Sequence, residues 1–197
     1  EGDVTVVNDG DQSCKPIAEL SAEHGVIQKV VAGLSALETR MSGGSSVDVA
    51  LLRRIVEFLR EYADVLHHGK EEALLFPALE RNGVPAHGCP VGALLGEHKR
   101  GRELVSEFAE AIEEYASGAD GAVAGLATKM KALAELYPAH IWKEDYLLFP
   151  MSEKVLRVDD LADLAAQFAE VNRLTGDAVI ARAEGLAAEL TAIVLQS

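Results

Sequence analysis

Basic residues are scarce in this sequence. Lys and Arg number 18 against 32 Asp and Glu, a net charge of -14 at pH 7. A field of that sign repels phosphate backbones and anionic lipid surfaces, so neither nucleic acid nor a membrane is an expected partner. Cysteine is scarcer still: Cys14 and Cys89 do not make the framework of a small secreted domain. No apolar run reaches the roughly 18 residues of a transmembrane helix. No useful stretch alternates apolar and polar residues as a half-buried strand does. With these classes set aside, the simplest expectation is a soluble, cytoplasmic, all-α protein. The chain begins at Glu1 rather than Met, which reads as a trimmed or processed N-terminus with room for a removed leader. Its 197 residues suit one domain, long enough to bury a core without disulfides.

What is present is helical periodicity. Residues 1–13 are acidic and rich in Gly, Asn and Asp, and read as a loose tail. A first helix is expected from about Pro16, with Ile17, Leu20, Ile27, Val30, Val31, Leu34 and Leu37 on one stripe, closed by the Ser42–Ser46 run. A second is expected over about 47–81, a breaker-rich loop over 82–90, and a third over about 91–117 before Gly118. A fourth is expected over about 122–149, with Pro138 inside it and a bend there. Two shorter amphipathic patterns follow, over 161–171 and 177–195. Four long helices on short links predict an up-down-up-down four-helix bundle over 14–156, covered by two additional C-terminal helices over 157–197 that pack on it or form a homodimer contact.

The sequence also repeats itself. His67-His68-Gly69-Lys70-Glu71-Glu72-Ala73-Leu74-Leu75-Phe76-Pro77 returns 73 residues on as His140-Ile141-Trp142-Lys143-Glu144-Asp145-Tyr146-Leu147-Leu148-Phe149-Pro150. A shorter echo, Leu20 to His24, returns 74 residues on as Leu94 to His98. In an antiparallel arrangement His24 and His98 lie at similar depth on the first and third helices. The pairs His67/Glu71 and His140/Glu144, each spaced i to i+4 and so on one helix face, return to that level on the second and fourth. The repeat also sets the register of the adjacent histidines: His67 aligns with His140, whereas His68 aligns with Ile141, which is no ligand.

These six side chains, His24, His67, Glu71, His98, His140 and Glu144, are the expected metal ligands. Four imidazoles and two carboxylates are too many for one tetrahedral zinc. They suit two ions bridged by both carboxylates and one oxygen, with a vacancy left on each. A nitrogen and oxygen donor set without thiolate favours iron or manganese over copper or zinc. An iron pair with a vacancy can bind or reduce dioxygen, peroxide or nitric oxide. Carrying ionisable groups into a core costs several kcal/mol each unless they are paired or metallated, which weighs against a purely structural cluster. The Leu-Leu-Phe-Pro runs read as core and helix-end signals.

The paired His-x-x-Lys-Glu-acid-x-Leu-Leu-Phe-Pro segments and the two Glu-His echoes resemble the hemerythrin-like HHE cation-binding family over about residues 16–150. That resemblance implies a four-helix bundle with a non-haem di-iron centre under an oxo or hydroxo bridge, manganese or zinc being substitutes. It implies terminal imidazoles at His24, His67, His98 and His140 and bridging carboxylates at Glu71 and Glu144. The sequence departs from the oxygen-carrying members of the family in two places. Arg102 stands where they have a fifth histidine, and their spacing points to Asp145 rather than Glu144. The departures favour sensing, or peroxide and nitric-oxide stress chemistry, over simple oxygen carriage.

Residues near the site carry milder expectations. His68, turned about 100° from His67 on an α-helix, is read as a surface or outer residue. His87 is read as a solvated loop residue, and Tyr62, Tyr137 and Tyr146 as core residues, with Tyr62 as a minority phenolate candidate. Arg102 is placed in a salt bridge or beside the vacancy. Glu23 and Glu97, one residue before their histidines, are read as solvated. Cys14 and Cys89 lie on diagonal helices and are not expected to pair.

Overall fold

The computed structural model describes residues 15–196, so the expected tail over 1–13 and Cys14 lie outside the described residues. Six helical rods make up the described chain, with no strand among its residues. The first, α1, is Lys15–Ser42. The second, α2, spans 49–81: it is α-helical over Val49–Phe58, π-helical over Leu59–His68 and Glu71–Leu75, and α-helical again over Phe76–Arg81. The third, α3, is Val91–Ser117. The fourth, α4, spans 122–155, with one π-helical turn at Glu144–Leu148. The last two are α5, Val158–Thr175, and α6, Asp177–Val194.

The ends of these rods follow local chemistry. Asp48 caps α2 by accepting a 2.9 Å bond from the Ala50 amide. Gly118 ends α3 in the left-handed region at φ 72°, which a residue with a Cβ enters only at a cost. Pro77 and Pro150 start new α-helical turns rather than stopping their rods, because proline is accepted in a first turn. The fourth rod therefore reaches Val155, beyond the expected end near Phe149. Pro138 lies inside its helix on the exposed side.

The apolar stripes form two cores. One joins Ile27, Val30 and Leu34 to Leu52, Ile55, Phe108, Leu126 and Leu133, and α6 completes it with Leu186 and Leu190. The other joins Ile17 and Leu20 to Leu75, Phe76, Leu94, Leu148 and Phe149, completed by Leu161, Leu164 and Phe168 of α5. Each repeated Leu-Phe pair thus packs the second core. Gly33 lets α6 approach α1: a Cβ there would lie 2.5 Å from Leu190 Cβ. Between the cores, on every long rod, sits a layer of buried polar residues: His24 on α1, His67, His68 and Glu71 on α2, His98 on α3, His140 and Glu144 on α4. Among the described residues, no helix is long and apolar enough to cross a membrane.

Candidate metal centre

The six expected ligands meet in that layer. Glu71 and Glu144 have no solvent exposure, and none of the four histidines exceeds 4%. His24 Nε2 lies 3.0 Å from His67 Nε2 and 3.1 Å from Glu144. On the other side, His140 Nε2 lies 3.1 Å from Glu144 and His98 Nε2 lies 3.4 Å from Glu71. Two overlapping groups result, each able to hold an ion: His24, His67, Glu71 and Glu144; and Glu71, His98, His140 and Glu144. Both carboxylates belong to both groups, as a bridge between two ions requires.

The outward nitrogens explain the convergence. Each Nδ1 donates to a carboxylate: His24 to Asp145 at 2.7 Å, His67 to Glu23 at 2.9 Å, His98 to Glu72 at 2.7 Å and His140 to Glu97 at 3.0 Å. With the proton on Nδ1, the lone pair of a neutral imidazole sits on Nε2 and faces the layer. Both oxygens of Glu71 and of Glu144, and Nε2 of His98 and of His140, make no sound hydrogen bond despite full burial. Lone pairs facing lone pairs and buried carboxylates cost several kcal/mol unless a cation lies among them. Carboxylate-anchored imidazoles turned inward are how proteins orient metal ligands. The donor set therefore fits metal ions.

The protonation pattern tells the same story. Burial, and then the Glu144 carboxylate, lift Glu71 above the usual carboxylate range. Burial also works to raise Glu144, but the nearby His140, His24 and His98 rings, at 3.1 to 3.7 Å, hold it well below. Burial works to lower His24 and His98, yet Asp145 and Glu144 lift His24 to about 9, and Glu144 and Glu71 lift His98 to about 10. His140 is raised, against burial, by Glu144. His67 is held well below the ordinary imidazole value by burial and by the charge of His24. Without metal, the two carboxylates favour proton uptake by His24, His98 and His140.

Sequence reasoning missed the orienting shell. Glu23 and Glu97 do point away from the histidines that follow them, but each reaches a histidine on another helix instead of solvent. Lys70, fully buried, holds Glu23 and bonds Glu19 at 2.6 Å, with its ammonium 5.3 Å from the Phe168 ring centre. Lys143 holds Glu97 in the same way. Asp145 and Glu72, each one residue after a shared carboxylate, orient His24 and His98. The signal was in the motif: Lys70/Lys143, Glu72/Asp145 and Glu23/Glu97 all sit at repeat-equivalent positions.

The profile of the Hemerythrin HHE cation binding domain matches residues 15–152. This chain belongs to the hemerythrin HHE family. The match covers every residue of the buried layer. Among curated relatives, uncharacterized proteins of Mycobacterium tuberculosis and Mycobacterium bovis are 27% identical over 161 residues, covering 81% of this chain. The aligned region is 62% of the length of each of those relatives.

The neighbouring candidates fall in different places. His68 is buried at 4% exposure, not on the surface. The two adjacent histidines do diverge, His67 toward His24 of α1 and His68 toward His98 of α3, and packing on both sides buries both. Arg102 pairs with Asp64 and Glu72. Tyr62 lines a cavity of about 290 Å³ beside Arg182 and Leu186, apart from either ion group, and burial pushes its phenol up, against a phenolate. Tyr137 is buried, whereas Tyr146 and His87 are exposed. Cys89 is exposed and free.

Proposed function

We propose that the chain is a di-iron protein that binds or reacts with a small oxidant, dioxygen, peroxide or nitric oxide, in an oxygen or oxidative and nitrosative stress response. His24, His67, His98 and His140 would be the terminal ligands and Glu71 and Glu144 the bridging ones, with α1 to α4 as an up-down-up-down bundle over 14–156 and α5 and α6 as its cover. The observation that carries this reading is the inward turn of four carboxylate-anchored imidazoles onto two fully buried carboxylates. Nitrogen and oxygen donors without a thiolate suit iron or manganese. A pair of irons held there supplies electrons and a coordination vacancy to a small molecule. The chain's part would be to present each imidazole's Nε2 lone pair and both carboxylates to the ions, and to exclude bulk water with the two cores.

Access is narrow, which favours a small ligand. A void of about 10 Å³, about the room of a single water molecule, touches His68, His98 and His140. A larger cavity of about 190 Å³ is also lined by His68, with Arg102 and Tyr137 in its wall. The alternative reading is dioxygen or iron binding as a sensor, without turnover. Mixing the reduced, iron-loaded protein with dioxygen separates the two. Prompt oxidation to a diferric spectrum supports redox chemistry, a stable and reversible oxygenated spectrum supports binding alone, and no spectral change contradicts both.

A further inference from the structure

The two halves of the site follow the repeat closely, and the exceptions cluster. Asp145 orients His24 as Glu72 orients His98, and Glu23 orients His67 as Glu97 orients His140. The match fails at three linked positions. Where one half has Ile141, Tyr137 and Gln28, the other has His68, Asp64 and Arg102. Arg102 Nε donates to Asp64 at 2.8 Å, and Asp64 accepts from His68 Nδ1 at 3.3 Å. Arg102 also donates to Glu72, the partner of His98, at 2.7 Å.

This is the anchoring already seen at the other four histidines. With Nδ1 spent on a carboxylate, His68 keeps Nε2 for the interior. Its ring lies 3.9 Å from that of His98 and 5.5 Å from that of His140. The ligating atoms of His68, His98 and His140 all fall within 4.8 Å of one another. Donors on one ion at about 2.1 Å stand at most about 4.2 Å apart, so this trio is close to a ligand set. A histidine kept only to pad the core needs no aspartate–arginine clamp on its outer nitrogen. His68 also ends the π-helical stretch Leu59–His68, a departure from the α-helix that is frequent at functional sites.

We infer that His68 is a third imidazole ligand to the ion held by His98 and His140, oriented by Asp64 and Arg102. The inference rests on the di-iron reading above. It makes the two ions unequal: one takes imidazoles from α1 and α2, the other from α2, α3 and α4. Arg102 is then a positioning residue that serves His68 and His98 together.

The test uses the whole chain, stripped of metal and reloaded with Fe(II) under nitrogen, or with Co(II) as a spectroscopic probe. His68→Phe keeps a ring against His98 but removes the nitrogen; His68→Gln is the second variant should the first fold poorly by circular dichroism. The wild type is expected to bind two ions. Both variants are expected to bind the first ion normally and the second at least about 100-fold more weakly, with a changed Co(II) d–d spectrum. Asp64→Asn should weaken that same ion by about 10–100-fold, the usual effect of losing an outer partner. A His68→Phe protein that binds two ions with wild-type affinity and an unchanged spectrum overturns the ligand role and leaves the di-iron reading standing. A wild type that binds no ion overturns both.

Discussion

His24 Nδ1 donates a 2.7 Å hydrogen bond to Asp145, and Nε2 of the same ring lies 3.1 Å from Glu144. Adjacent acids on α4 therefore differ in place: one faces the buried histidine–carboxylate layer, the other holds the outer nitrogen of His24. Glu144→Gln removes a carboxylate shared by both ion groups and is expected to abolish stoichiometric metal binding. Asp145→Asn keeps the shape and loses only the charge behind His24, with an expected loss of about 10–100-fold in affinity. Competition against a chelator measures both. Equal losses would show that Asp145 is itself a bridging ligand.

The metal-free protein should lose stability on the alkaline side. His24 is lifted to about 9 and His98 to about 10 in the folded state, against 6.5 in an unfolded chain. Folding thus takes up protons in that window. The stabilisation is complete below pH 6.5 and is lost as pH rises through 9 and 10. Calorimetry of the metal-free protein should show Tm falling between about pH 7 and about pH 9.5. Metal binding runs the other way, since it displaces those protons and is favoured as pH rises. A metal-free Tm that climbs across this window contradicts the arrangement of charges described for the site.

The close approach of α1 and α6 makes a packing prediction. A Cβ at Gly33 would lie 2.5 Å from Leu190 Cβ and 2.9 Å from its Cδ2. Gly33→Ala should therefore destabilise the protein by about 1–3 kcal/mol through overpacking. Leu190→Ala alone should cost about 2–5 kcal/mol through the cavity it leaves. Because the two side chains share one space, the double variant should lose less than the sum, by denaturant unfolding. Strict additivity would place the contact elsewhere.

The sequence carries much of this on its face. Helix number and most boundaries follow from stripes at 3.6-residue spacing and from breakers such as Gly118. The repeat picks out His67 over His68 and brings six side chains to one level. What it hides has physical causes. His68 does turn away from His67, but α3 covers that side, which the pattern of one helix alone does not reveal. Glu23 and Glu97 do point away from the histidines beside them, but a neighbour-on-one-helix rule says nothing of the histidine across the helix pair. Lys70 is polar by type yet fully buried, because Glu19, Glu23 and the Phe168 ring enclose it. The repeat holds the clue to these partners, since each orienting acid recurs with the histidine it serves.

The central claim is that this layer holds two irons. Metal analysis of protein purified from iron-replete cells tests it most directly, with iron measured per chain by mass spectrometry. The account predicts about two irons per chain, in line with two ion groups sharing Glu71 and Glu144. Less than about half an equivalent of any transition metal would contradict it.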